Sequence, residues 1–165
     1  MAGAAVKYTT AVVVLSDRAA GGTRADQCIP LVREMLGGLF HIEMSLILPD
    51  EPASLQAKLI ELSDAKSVEL ILTSGGTGLS PRDRTPQATS AILDYDIPGI
   101  PEAMRVASVG HVKTAMLSRA VAGVRNKTLI VNLPGNPKAV RECLQTVLPA
   151  LPHALELLRD ALPDG

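Results

Sequence analysis

The chain has 165 residues, 47% hydrophobic and 20% charged, the size of one domain that buries about 70% of its unfolded surface without disulfides or a structural metal. Its 16 Lys and Arg against 17 Asp and Glu leave a formal charge of −1, which argues against the clustered basic surface that general nucleic-acid binding needs. Two Tyr, one Phe and no Trp also argue against a base-stacking platform, so the expectation is one domain over 1–165 that binds small molecules or protein.

In chain order, Thr10–Leu15 (TAVVVL) is a β-branched run of strand length. Its apolar stretch, Ala11 to Leu15, is too short for a secretory leader core of about 7–15 residues or a membrane helix of about 20. A cytoplasmic protein with no membrane partner is expected. Ile29, Val32, Leu36 and Leu39 share a helical face, and Ile42–Leu48 is a second, less regular strand. Pro52 suits the first turn of a helix whose inner face is Leu55, Leu59 and Leu62. Glu69–Thr73 (ELILT) reads as a third strand. Val121–Val124 and Thr128–Leu133 form a hairpin through Arg125-Asn126-Lys127, where Asn can turn left-handed. From Pro137 the helical positions are Val140, Leu144 and Val147. After a break at Pro149 and Pro152 they resume at Leu155, Leu158 and Leu162.

Unbroken apolar strands point to a sheet covered on both faces, and such sheets are parallel. The predicted fold is therefore a three-layer α/β/α domain, mostly parallel, with one antiparallel hairpin pair. Cys28 and Cys143 lack CxxC spacing and read as buried, reduced thiols. His41, His111 and His153 are scattered and form no ligand cluster.

Ligands of open α/β sheets bind beyond the carboxyl ends of the strands, so chemistry is sought in four loops that would share one rim. They are Ser16-Asp17-Arg18 with Gly21, Gly22 and Asp26; Leu48 to Pro52; Ser74 to Pro86; and Pro134-Gly135-Asn136-Pro137-Lys138. In the third, Ser74-Gly75-Gly76-Thr77-Gly78 can turn backbone N–H groups toward an anion, and Thr85-Pro86 reads as an N-cap and first helical residue. The loop lacks GK[ST] and GxGxxG, and an ordinary Gly-rich turn remains the alternative.

Asn136 and Pro137 repeat the cap-and-proline arrangement. Lys138 opposes the helix dipole there unless it meets an anion, and is otherwise a solvated lysine. Arg119, after Ser118, stands in the same position. Asp50 is either a helix cap or a ligand, and Asp83 either pairs with Arg82 or Arg84 or joins Asp50. Two carboxylates beside phosphate-suited loops would suit Mg²⁺.

Three stretches carry a resemblance: Thr73-Ser74-Gly75-Gly76-Thr77-Gly78 with Arg82-Asp83-Arg84-Thr85-Pro86; Met116-Leu117-Ser118-Arg119; and Lys127 to Gly135 (KTLIVNLPG). Between them lie Pro98-Gly99 and Glu102-Ala103-Met104-Arg105. In this order they resemble the molybdopterin adenylyltransferase family of molybdenum cofactor biosynthesis, which includes the N-terminal domain of gephyrin. The resemblance covers nearly the whole chain.

The resemblance implies a homotrimer that uses Mg²⁺ and ATP to adenylylate the terminal phosphate of molybdopterin, releasing pyrophosphate, beside the enzyme that inserts molybdenum. It places the family's two important aspartates on Asp50 and Asp83, as catalytic residues and Mg²⁺ ligands. Ser74, Gly75, Gly76, Thr77, Gly78, Arg82, Thr85, Ser118, Arg119, Pro134, Gly135, Asn136 and Lys138 are then the substrate-binding candidates. Cys28 stands where the family pattern has Gly or Ser, and Pro101 points to a shortening of the helix that carries Met104 and Arg105. Two other readings compete: a molybdopterin-binding scaffold without catalysis, and the molybdate-inserting enzyme, whose extra domains do not fit in 165 residues.

Overall fold

The structure is a computed structural model that describes residues 7–160. Its first half contains β1 (Tyr8–Leu15), a one-turn α1 (Asp17–Ala20), α2 (Cys28–Leu36), β2 (Phe40–Leu48), α3 (Pro52–Ile60) and β3 (Leu70–Ser74). The second half contains α4 (Thr85–Ser90), β4 (Tyr95–Asp96), α5 (Gly99–Val109), β5 (Ala122–Arg125), β6 (Thr128–Leu133), α6 (Pro137–Val147) and α7 (Leu151–Asp160).

The sheet order is β2-β1-β3-β6-β5-β4. The first four strands are parallel neighbours, β5 is antiparallel to β6, and β4 is antiparallel to β5. Strand alternation supplies both faces. β1 sends Val12 and Val14 into one apolar cluster and Ala11, Val13 and Leu15 into the other. The first cluster is closed by Val32 of α2, Met104 of α5, Leu144 of α6 and Leu155 of α7. The second is closed by Leu55 and Leu59 of α3 and Ala88 of α4, with Leu62 delivered by a π-helical turn, Glu61–Ala65. The result is the expected three-layer α/β/α arrangement.

Chain direction places the site. From β1 the chain winds outward to β2, then crosses to β3 on the other side of β1. The winding therefore reverses between β1 and β3, and the loops at their carboxyl ends part to leave a crevice.

Several expectations are refined. β2 begins at Phe40, and its alternating burial suits an edge strand. The hairpin turn tightens to Asn126-Lys127, with Asn126 left-handed at φ 53°. A second antiparallel pair appears because the two-residue β4 adds to β5. Leu39 does not share the buried face of α2; it lies on a 3-10 turn and is 37% exposed, because Gly37 ends the helix first. Pro101 does not shorten α5: it occupies the first turn, where its missing N–H costs nothing, and the helix runs on to Val109. The break at Pro149 is a 3-10 turn, Leu148–Ala150, between α6 and α7. Leu155 is buried, whereas Leu162 lies outside the described residues. Cys28 and Cys143 are free and buried, as expected.

Candidate active site

The crevice is a cleft of about 550 Å³ walled by the loops after β1, β2, β3 and β6. The glycine turn after β3 forms its centre. Gly75 and Gly76 have φ of 106° and 69°, and a Cβ on either would collide, with Leu15 O and Thr85 Oγ1 respectively. Only glycine fits both the conformation and the space. Gly75 N–H donates to Leu133 O at 3.1 Å, which removes it from the N–H groups expected to turn toward an anion. Among the described residues the N–H groups of Gly76, Thr77 and Gly78 have no hydrogen-bond acceptor. Ser74 is also committed, its hydroxyl donating to Pro134 O at 2.8 Å.

Arg119 holds the far side of this turn. Its Nε donates to Gly78 O at 2.9 Å, its Nη2 to Asp83 O, and its backbone N–H to Thr77 O at 2.9 Å. The side chain expected to meet a ligand anion is thus a clamp on the loop. Thr85 is also reassigned. It is the first residue of α4 and not its cap, with its N–H given to Gly76 O at 3.1 Å. Asn136 behaves as its sequence predicts: its Oδ1 accepts from Ala139 N–H at 3.0 Å, and Pro137 opens α6.

The acids meet in an arrangement that sequence separation hides. Asp50 does not cap α3, whose flanking residue is Glu51. Instead Asp50 Oδ2 accepts from Asp17 N–H at 3.1 Å, and Asp17 Oδ1 accepts from Asp50 N–H at 2.9 Å. Arg82 pairs with neither Asp83 nor a free cavity. Its Nε and Nη2 fork onto the two oxygens of Asp17 at 2.7 and 2.9 Å, and Nη2 reaches Glu51 at 3.2 Å. Asp83 Oδ2 accepts from Ser80 N–H at 3.1 Å.

These contacts set the charges. Burial pushes the Asp50 carboxyl above its usual range, the Asp17 and Asp83 charges add to this, and the Asp17 N–H and Arg82 work against it. Asp17 is held below its usual range by the Arg82 guanidinium and by the Asp50 N–H. Among the described residues no three His, Cys, Asp or Glu side chains form a complete metal set. Asp50 and Asp83 both line the cleft and nevertheless fit an ion that takes few carboxylates and completes its shell with phosphate oxygens.

The predicted residues do not all share one cavity. Asp50, Ser74, Gly75, Gly76, Arg82, Asp83, Gly135 and Asn136 line the large cleft. Thr77, Gly78, Ser118, Pro134 and Lys138 line an adjoining cavity of about 260 Å³, and Asn136 borders both. Sequence reasoning noted Asp17 and Arg18 in the first loop without assigning them to the site, and passed over Arg24. All three line the cleft, and among the described residues neither arginine forms an ion pair. The available signal was their position after a parallel strand.

A family model described as a probable molybdopterin binding domain matches residues 11–153. A molybdopterin adenylyltransferase of Helicobacter pylori is 42% identical over 89% of this chain and 85% of its own length. One from Escherichia coli is 46% identical over 82% of this chain and 71% of its own. The solved structure of the molybdopterin biosynthesis enzyme MoaB from Thermus thermophilus is 47% identical, with a TM-score of 0.87 over 92% of this chain and 96% of that one. The chain belongs to the molybdopterin-binding enzyme family of molybdenum cofactor biosynthesis, the family of the molybdopterin adenylyltransferases.

Proposed function

We propose that the protein transfers AMP from ATP to molybdopterin. A terminal phosphate oxygen of molybdopterin attacks the α-phosphorus of ATP, a new P–O–P bond forms, the α–β phosphoanhydride bond breaks, and pyrophosphate leaves. The observation that carries this reading is the meeting of Asp17, Asp50 and Asp83, from three strand-end loops, with Gly76 of the glycine turn at one cleft, beside the adjoining cavity that Thr77 and Gly78 line.

The nucleophile is a phosphate monoester, mostly dianionic above its second pKa of about 6, so it needs no general base. The residues must relieve repulsion between two anions and hold them in line. The N–H groups of Gly76, Thr77 and Gly78 donate to phosphate oxygens. Arg18 and Arg24 face the cleft as positive charges, and Lys138 does so from the adjoining cavity. Asp50 and Asp83 would hold Mg²⁺, which would supply neutralisation of the triphosphate charge. In this reading residues 1–165 form one domain of a cytoplasmic homotrimer, which passes its product to the molybdenum insertion enzyme.

The test is incubation of the purified protein with molybdopterin and ATP, with and without Mg²⁺, followed by mass spectrometry. Adenylylated pterin formed only with Mg²⁺ is the expected result. Pterin binding without that product would replace the reading with a non-catalytic binding protein.

A further inference from the structure

Arg82 is one of two cations that flank Asp83 in sequence and it lines the cleft, which makes it an obvious candidate for a substrate phosphate. Its geometry argues otherwise. A guanidinium has five N–H donors, and three are spent: Nε on Asp17 Oδ2, and Nη2 on Asp17 Oδ1 and Glu51 Oε1. The two forked edges that include Nη2 are therefore occupied by carboxylates. A phosphate could be gripped in bidentate fashion only by displacing one of them.

The occupied fork leads to Asp50. Asp17 Oδ1 accepts from Arg82 Nη2 and from Asp50 N–H, both at 2.9 Å. The Asp17 backbone N–H in turn holds Asp50 Oδ2 at 3.1 Å. One oxygen of Asp50 is thereby committed, and the other, Oδ1, lies on the Gly76 side, 3.4 Å from where a Cβ there would sit. Arg82 comes from the loop after β3, Asp17 follows β1, and Asp50 and Glu51 follow β2. A single guanidinium thus ties three strand-end loops together.

We propose that Arg82 is a positioning residue that acts on Asp50 through Asp17, and is not a ligand for a substrate phosphate. The inference rests on the adenylyl-transfer reading, since it names what orients one of that reaction's carboxylates.

The experiment measures kcat and KM for ATP and for molybdopterin in the wild-type protein, Arg82→Gln, Arg82→Lys, Asp17→Ala and the Arg82→Gln/Asp17→Ala double variant, with Mg²⁺ present. Small displacements of a reacting group cost up to about 100-fold. Each single variant is expected to lose about 10- to 100-fold in kcat, with both KM values within about threefold of wild type. The double variant is expected to be no worse than the poorer single one, because both cut the same relay. Arg82→Lys keeps the charge but not the fork, and is expected to remain impaired. If Asp17→Ala does not fold, Asp17→Asn replaces it, since it keeps an acceptor for Asp50 N–H and loses the charged pair.

A tenfold or larger rise in either KM at unchanged kcat, recovery in Arg82→Lys, or multiplicative losses in the double variant would overturn the inference while leaving the reaction standing. A wild-type protein that makes no adenylylated pterin would instead overturn the reaction, and the inference with it.

Discussion

Asn132 of β6 donates through Nδ2 to the hydroxyl of Thr73, its in-register partner on β3, at 2.9 Å, with both side chains fully buried. The same Nδ2 reaches Thr89 Oγ1 of α4 at 3.1 Å, and Oδ1 accepts from Val121 N–H at 3.2 Å. One amide thus joins two strands, a helix and the start of the hairpin, just beneath the cleft floor. Buried groups that lose a partner cost about 1–3 kcal/mol each. Asn132→Ala is expected to lower stability by about 2–4 kcal/mol, read from urea denaturation at neutral pH. A loss below about 0.5 kcal/mol, the range of an ordinary surface change, would contradict the network's role.

Gly76→Ala sets a methyl group against Thr85 Oγ1 in a left-handed backbone. The conformation alone costs about 1–2 kcal/mol, and relief of the collision would shift the amides beside it. Turnover is expected to fall about 100-fold. Adding Thr85→Ala should restore part of the melting temperature but not the backbone cost. Equal melting temperatures for the single and double variants would show that the collision is not where the structure places it.

Asp83→Asn keeps an acceptor for Ser80 N–H and removes the charge. Adenylyl transfer should drop at least about 100-fold, with circular dichroism and melting temperature unchanged. Near-full turnover would remove Asp83 from the site.

A dianionic nucleophile requires no base, and its second pKa of about 6 lies below the working range. Turnover with saturating Mg²⁺ and ATP is therefore expected to be flat between about pH 7 and 9. A steep rise over that interval, abolished in an Asp50 or Asp83 variant, would establish proton abstraction instead.

Stability has its own pH dependence at the opposite end of the sheet. Burial pushes the Glu69 carboxyl up, but bonds from Arg159 and from Thr9 N–H outweigh it and hold the group below its usual range. A carboxyl depressed by folding binds its proton more readily in the unfolded chain. Its contribution is full above the unfolded value and is lost as pH falls through the folded one. The wild-type melting temperature should therefore decline below about pH 5. Glu69→Gln should melt lower at pH 7 and decline less steeply in acid. An unchanged acid slope would mean that other carboxylates govern it.

The parts of the fold legible in the sequence were those with dense, repetitive signal. TLIVNL is β6 residue for residue, and Leu55, Leu59 and Leu62 mark a buried face that survives a switch to π-helical geometry. The two-residue β4 has no periodicity to read, and it exists because β5 offers an open edge. The site was legible as a set of loops but not as a set of contacts. Arg82 has an acid, Asp83, beside it in sequence, yet its partners stand on two other loops. Nothing local reveals that, because strand order decides which loops meet. Thr85 illustrates the same limit from another side: a good cap residue stands one position inside the helix, with Arg84 at the flanking position and its own N–H given to Gly76 O.

The four strands that carry the cleft, β2, β1, β3 and β6, are consecutive in the sheet. With neighbours about 4.8 Å apart, the loops from Asp50 to Asn136 stand at a fixed pitch across roughly 14 Å. Hydrogen-bonded ladders maintain that pitch, and the loops themselves do not. Insertions or exchanges within a loop would therefore alter which groups it presents while its anchor points stay in place. The scaffold can thus host new chemistry one loop at a time, so long as the ties that join neighbouring loops are re-made.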